Sequence, residues 1–131
     1  MVDQSAVPSP GNRAKSEILI VEDEAVARRA LVELLCASGF ETRAVESAED
    51  ALRAIADGHR FHIALVDFNL PGMNGLDLIQ RLRKTNPAIV SVLVTAQSRD
   101  SFSQCSEADR VLHVQKPIDF AQLLAIIGHK T

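Results

Sequence analysis

Apolar residues along this chain fall into two rhythms: short, nearly unbroken runs, and longer stretches in which they recur every third or fourth position. The runs are Ile18-Leu19-Ile20-Val21, Ile63-Ala64-Leu65-Val66, Ile89-Val90-Ser91-Val92-Leu93-Val94 and Val111-Leu112-His113-Val114. They are too short for helices and are bounded by turn residues, so they read as strands buried on both faces, as parallel sheets require. Glu41-Thr42-Arg43-Ala44-Val45 interleaves polar residues instead, which fits a partly covered edge strand. Helical spacing fills the intervals. It runs over residues 24–38 (Val26, Ala27, Ala30, Leu31, Leu34, Leu35), from Ser47 to Gly58 (Ala48, Ala51, Leu52, Ile55), over residues 75–84 (Leu76, Ile79, Leu82) and after Asp119 (Phe120, Leu123, Leu124, Ile127). Gly39, Gly58 and Gly128 read as helix stops, as does Asn86-Pro87. Ser47 with Asp50, Asn74 with Asp77, and Asp119 read as helix caps. Residues 97–109 surround Phe102, Cys105 and Ala108 with polar groups, so a helix there is expected to be short or irregular. Five strands alternating with five helices predict an α/β fold with a parallel sheet wound in both directions.

The places where the apolar runs stop turn this scaffold into a candidate site. The first strand ends in Glu22-Asp23-Glu24, the third in Asp67, the fourth in Thr95-Ala96 and the fifth in Gln115-Lys116-Pro117. In open α/β sheets the carboxyl ends of the strands border the crevice where ligands bind. Beyond Asp67, Pro71-Gly72 supplies the two central positions of a type II turn, so the chain reverses and leaves the carboxylate at the rim. A single acid at a strand end is ordinarily a helix cap or a solvated loop residue. Here such groups occur together, each directly after a buried strand. Three carboxylates in one crevice repel one another, and a hard divalent cation such as magnesium, or manganese in its place, relieves the repulsion. An ammonium from Lys116 and a hydroxyl from Thr95 suit the oxygens of a transferring phosphoryl group, with Asp67 as nucleophile and an aspartyl phosphate as product. Neither a G-x-x-x-x-G-K-[ST] loop nor a G-x-G-x-x-G after the first strand is present, which disfavours nucleotide binding.

With 131 residues, 47% of them apolar, the chain suits one domain. Residues 1–16, with Ser5, Pro8, Ser9, Pro10, Gly11 and Asn12, have too few apolar groups to offset ordering entropy; a flexible tail is expected, and the domain over 17–128. The net charge of −3, with lysines and arginines scattered singly, makes no basic stripe, so direct nucleic-acid binding is not expected. Cys36 and Cys105 match no metal or disulfide spacing and read as free thiols of a reducing cytosol. No apolar stretch is long enough to cross a bilayer and residues 1–16 lack the features of a signal peptide, so a cytoplasmic protein without a membrane partner is expected. His59, His62 and His129 are scattered and read as structural or solvated.

The residues Ile18-Leu19-Ile20-Val21-Glu22-Asp23-Glu24, Val66-Asp67-Phe68-Asn69-Leu70-Pro71-Gly72-Met73-Asn74-Gly75, Thr95-Ala96 and Lys116-Pro117 resemble the receiver domain of bacterial response regulators, from about Glu17 to Gly128. The resemblance implies a flavodoxin-like fold, strand order 2-1-3-4-5, and phosphorylation of Asp67 by a phosphohistidine on a sensor kinase or histidine phosphotransfer protein. It implies that Asp23, Asp67 and the Asn69 carbonyl ligate magnesium, with Glu22 acting mainly through water. Thr95, the Ala96 amide and Lys116 would hold the phosphate. The family often has a cis peptide before the proline matching Pro117. By the same resemblance the domain is a signalling phosphoacceptor, not an enzyme acting on other substrates, and presents the fourth helix, fifth strand and fifth helix to a downstream protein.

Two departures fall on that output face. His113 stands where the family usually carries Tyr or Phe, the ring that moves as the threonine matching Thr95 approaches the phosphate. Asp109-Arg110 replaces the usual small-residue turn. Thr95 and His113 are therefore the expected switch pair. A binding module that no longer uses phosphorylation is the alternative these departures leave open. A magnesium-dependent phosphatase acting on external substrates would need a second acid near the nucleophile, and position 69 offers Asn. With no effector segment after Gly128, a stand-alone receiver or a piece of a longer chain is expected.

Overall fold

The computed structural model describes residues 17–97 and 111–130. Five parallel strands, β1 (Glu17–Val21), β2 (Glu41–Val45), β3 (Ile63–Asp67), β4 (Val90–Thr95) and β5 (Val111–Gln115), form one sheet in the order β2-β1-β3-β4-β5. This is the predicted 2-1-3-4-5 order. Four helices are described: α1 (Ala25–Ala37), α2 (Ala48–Ala56), α3 (Gly75–Thr85) and α4 (Phe120–Lys130). The last corresponds to the fifth helix expected from the sequence; from residue 98 onward, the expected fourth helix lies outside the described residues, as do the 1–16 tail, Cys105 and Asp109-Arg110. Among the described residues no helix is long and apolar enough to cross a membrane.

The apolar runs occupy the interior positions of the sheet, where both faces are covered. Every residue of β3 is buried, and so is all but the first residue of β1 and of β4. Strand β2 pairs with β1 alone among the described residues and has no fully buried residue, as its interleaved polar side chains predict. One face of the sheet packs Leu19, Val21, Ala64, Val66 and Leu93 against α2 and α3; the other packs Ile18, Ile20, Leu65 and Val92 against Leu31 and Leu35 of α1 and Leu123 and Ile127 of α4. The doubly wound arrangement thus buries both sides of the central strands and leaves only their ends for polar groups.

The helix boundaries are chemical. Ser47 Oγ accepts from the Asp50 amide at 3.1 Å, Asn74 Oδ1 from the Asp77 amide at 2.9 Å, and Asp119 Oδ1 from the amides of Ala121 and Gln122 at 3.0 and 3.2 Å. Each satisfies helix-start donors that have no partner within the helix. Gly39, Gly58 and Gly72 have φ of 96°, 95° and 80°, the left-handed values required by two helix ends and the turn after Asp67.

Four expectations need correction. Gly128 does not end the last helix, which continues to Lys130; glycine stops a helix only where the chain turns left-handed, and Gly128 has no positive φ. Val26 and Phe120, assigned to buried stripes, are 75% and 42% exposed. Both lie in the first turn of a helix, directly after the loop that leaves a strand's carboxyl end. In α3 the fully buried leucine is Leu78 and Leu76 is only partly buried, because the helix meets the sheet along Leu78, Ile79 and Leu82.

Ser91, on the same side of β4 as Leu93, is fully buried and its hydroxyl has no hydrogen-bond partner among the described residues. An unsatisfied buried hydroxyl costs about 1–3 kcal/mol. Ser91→Ala is therefore expected to raise stability by about 1 kcal/mol, after allowing for the small void left behind. A urea midpoint equal to or below that of the wild type would show that the hydroxyl is satisfied in solution.

Candidate functional site

The sheet register brings the polar strand ends level. Val21 pairs with Val66 and Asp67 with Val94, so Glu22 stands next to Asp67, and Thr95 one step beyond it on the other side. Backbone hydrogen bonds carry the ladders past the strand ends: Glu22 N–H to the Val45 carbonyl at 3.1 Å, Phe68 N–H to Val94 at 2.8 Å, and Lys116 N–H to Thr95 at 2.8 Å. The loops that hold the polar side chains are thereby tied to the neighbouring strands where they begin.

Carboxylate oxygens of Glu22, Asp23 and Asp67 lie within 4.8 Å of one another. Lys116 Nζ stands 3.3 Å from Asp67 Oδ1 and 3.9 Å from Glu22 Oε1. Glu22 and Asp67 are buried, Asp23 is exposed, and the lysine side chain is 37% exposed. Three carboxylates against one partly solvated ammonium leave an excess of negative charge at the site. Oxygen ligands on one magnesium ion, at about 2.0–2.1 Å from it, lie roughly 3–4 Å apart. The spacing of these acids, all hard oxygen donors with no thiol or imidazole among them, therefore fits a small divalent cation.

The other candidate residues are placed as follows. Asn69 is exposed, and its amide donates to Asp67 Oδ1 at 3.4 Å, a long contact that steers the carboxylate. Thr95 is buried at the end of β4, and its hydroxyl accepts from the Gln97 amide at 3.1 Å. The Ala96 carbonyl accepts from Gln115 Nε2 at 3.3 Å, tying this loop to β5. The Lys116–Pro117 peptide is cis, as the resemblance led one to expect. His113 lies in the middle of β5, paired with Leu93, partly buried with both ring nitrogens out of solvent. The structure thus gathers Glu22, Asp23, Asp67 and Lys116 into one cluster and sets Thr95 and Ala96 beside it on the neighbouring strand end; His113 sits lower, within the sheet.

Burial pushes the Glu22 carboxyl up from the usual range. The Glu24 amide, donating to Glu22 Oε2 at 3.1 Å, opposes this, the Asp67 charge adds to it, Lys116 opposes it and Asp23 adds a little more. Between the ordinary value and the raised one, the folded chain binds a proton that the unfolded chain has released. Without divalent cations, the stability contributed by Glu22 is thus present at acid pH and is lost as pH rises through the raised value. Glu22→Gln is expected to flatten that fall and to exceed the wild type in stability at neutral pH, as urea titrations in chelator would show. An unchanged pH slope would mean that water reaches Glu22 and the shift is absent.

Two further residues matter to the site and were not singled out in the sequence. A Cβ on Gly75 would lie 2.6 Å from the Asp67 carbonyl oxygen and 2.9 Å from Phe68 Cα, so only glycine lets α3 begin this close to the end of β3. Arg28 of α1 donates from Nη1 to the Glu22 carbonyl at 2.8 Å. Each left a faint trace. Gly75 is a poor helix former at a helix start, and Arg28 is a cation near a helix N-terminus, where positive charge is disfavoured.

Residues 18–128 match the family described as the response regulator receiver domain. A cyclic di-GMP phosphodiesterase from Thermotoga maritima is 34% identical over 113 residues, covering 86% of this chain and 30% of that protein. The two-component response regulator PhoP of Pseudomonas aeruginosa is 36% identical over 111 residues, covering 83% of this chain and 48% of the relative. The chain thus spans less than half the length of these two relatives. Among solved structures, a CheY-like response regulator receiver domain protein from Methanospirillum hungatei superposes with a TM-score of 0.81 at 27% identity, over 89% of this chain and 94% of the other. The parallel sheet in 2-1-3-4-5 order is the same CheY-like, flavodoxin-type fold. On the family match and these relatives together, the chain belongs to the response regulator receiver domains of two-component signalling.

Proposed function

We propose that this domain is a phosphoacceptor switch: Asp67 takes a phosphoryl group from a phosphohistidine on a sensor kinase or histidine phosphotransfer protein, and the phosphorylated domain presents an altered surface to a protein partner. The observation that carries this reading is the close cluster of Glu22, Asp23 and Asp67 with Lys116 at 3.3 Å from Asp67, in a chain of this family. Glu22, Asp23, Asp67 and the Asn69 main-chain carbonyl would hold magnesium, or manganese. When bound, the ion neutralises charge on the acids and on the incoming phosphoryl oxygens, without which two anions would have to approach each other.

The chain's own groups account for the rest of the step. An Asp67 carboxylate oxygen attacks phosphorus, the new O–P bond forms as the P–N bond to the donor imidazole breaks, and the imidazole leaves with that electron pair. Lys116, already beside Asp67 and partly solvated, exchanges its carboxylate contact for the phosphoryl oxygens. The Thr95 hydroxyl and the Ala96 amide supply further donors from the adjacent strand end. For read-out we assign Thr95 and His113: a threonine drawn toward the phosphate vacates space next to β5, and the His113 ring is the side chain available to respond. Residue 113 and the last helix then form part of the surface a downstream protein would read. The domain acts on itself and turns over no separate substrate. Its donors make the cytoplasm its place of work.

Incubation with a small acyl phosphate and magnesium, followed by intact mass, tests the proposal. One phosphoryl group should be gained with magnesium and none in chelator. Absence of any gain at saturating magnesium would leave a domain that has kept the fold and abandoned the chemistry.

A further inference from the structure

Each acid of the cluster is held in a different way, and the difference singles out Arg28. The Glu22 carboxylate accepts from the Glu24 amide at 3.1 Å, and the Asp67 carboxylate is held by Lys116 at 3.3 Å and approached by the Asn69 amide at 3.4 Å. The Asp23 side chain is exposed and makes no hydrogen bond or ion pair among the described residues. The point from which its carboxylate projects is therefore set by its backbone, with no side-chain contact to add to it. That backbone is clamped at the preceding residue: Glu22 N–H donates to the Val45 carbonyl at 3.1 Å, and Arg28 Nη1 donates to the Glu22 carbonyl at 2.8 Å. The Glu22 carbonyl belongs to the peptide plane that carries the Asp23 amide, so the guanidinium fixes the plane from which the Asp23 carboxylate projects.

The sequence spacing makes this reach natural. Helical side chains lean toward the helix N-terminus and cover the turn before their own Cα. Arg28 is the fourth residue of α1, and leaning back brings its guanidinium over the Glu22–Glu24 loop. The helix start itself is fixed by Glu24, whose Oε1 accepts from the Ala27 amide at 2.9 Å.

We propose that Arg28 is a positioning residue for the divalent-cation site, holding the Glu22–Asp23 peptide so that Asp23 points at the ion. The inference rests on the magnesium-dependent reading above. It opposes the simple electrostatic expectation. A cation this close to an acidic cluster competes with a bound metal ion, so deleting its charge alone strengthens magnesium binding. Deleting the clamp weakens it, because magnesium demands near-ideal octahedral geometry and tolerates a wandering ligand poorly. Groups that orient metal ligands are typically worth 10–100-fold in affinity. The sign of the change in magnesium affinity therefore decides between the two roles.

The test is magnesium titration of the whole chain by calorimetry, with thermal unfolding in chelator alongside, for wild type, Arg28→Met, Arg28→Lys and Asp23→Ala. Arg28→Met is expected to bind magnesium about tenfold more weakly than wild type. Arg28→Lys, charged but shorter and without the fork, is expected to fall between the two. Unfolding temperatures in chelator should change little, since a role confined to the fold would move them and leave magnesium affinity alone. Wild-type or tighter binding in Arg28→Met overturns the proposal. Should that variant fail to fold, Arg28→Lys decides, and wild-type affinity there overturns it equally. Wild type that binds no magnesium, matching Asp23→Ala, would defeat the cation-site reading itself, a result distinct from a wild type that binds and an Arg28 variant that binds as well.

Discussion

Asp67→Asn is expected to gain no phosphoryl group from a small acyl phosphate under conditions that load the wild type fully. The carboxamide keeps the shape of the side chain and removes its nucleophilic oxygen charge, so no O–P bond forms at this position. Magnesium binding should weaken as well, because one of three clustered carboxylates becomes a neutral ligand. The fold should survive. Asp67 is buried in a cluster with Glu22 and Asp23, and the Lys116 ammonium that pairs with it is partly solvated. Its replacement trades one ion pair for the removal of two repulsions, and in the absence of metal the variant should be at least as resistant to urea as the wild type at neutral pH. Phosphoryl gain in Asp67→Asn, seen by intact mass, would mean that another side chain accepts the group and that the site is misassigned.

Gly75→Ala carries the second large effect. Alanine favours helix over glycine by about 0.8–1.0 kcal/mol in a helix interior, so propensity alone predicts a gain. Contacts predict the reverse. The added methyl group would lie 2.6 Å from the Asp67 carbonyl oxygen, 2.9 Å from Phe68 Cα and 3.0 Å from Leu93 Cδ1, and the first two are backbone atoms of the strand end itself. Neither can rotate away. Relief requires α3 to retreat from β3, which stretches the Gly75 N–H to Phe68 carbonyl bond, now 2.8 Å, and shifts the segment that carries Asp67. Overpacking of this kind typically costs 1–3 kcal/mol, about 2 here after the propensity gain is subtracted at the first helical position, where that gain is small. The urea midpoint should fall and phosphoryl uptake should slow together. A variant as stable as the wild type would show that α3 can move without cost.

The architecture was largely legible in the chain because the central strands are buried on both faces, which forces continuous apolar runs and drives polar groups to their ends. For that reason Glu22, Asp23, Asp67, Thr95 and Lys116 stand out in the sequence, and the structure brings the acids and the lysine together. Depth within the cluster was not legible: adjacent acids Glu22 and Asp23 both reach it, but Glu22 is buried and folds back to the Glu24 amide while Asp23 lies exposed at its rim. Helical spacing also failed near the rim. Val26 and Phe120 keep the apolar period of their helices but fall in first turns, and both are exposed. Close approaches such as that at Gly75, and long-range contacts such as Arg28 to the Glu22 carbonyl, depend on how elements dock and leave only weak compositional traces.

The sheet order has a bearing on how the molecule is made. The cluster draws Glu22 and Asp23 from the end of β1, Asp67 from β3 and Lys116 from the end of β5, the last of the described strands and an outer strand of the sheet. All of these pairings are parallel and join segments far apart in the chain, the kind of contact that forms late because loop closure must precede it. A chain with β1 to β4 paired and β5 not yet added would carry its acids with no Lys116 to balance them. In the mature protein, opening of the outer strand β5 would likewise withdraw the lysine from Asp67 and leave the repulsion among the three acids unrelieved.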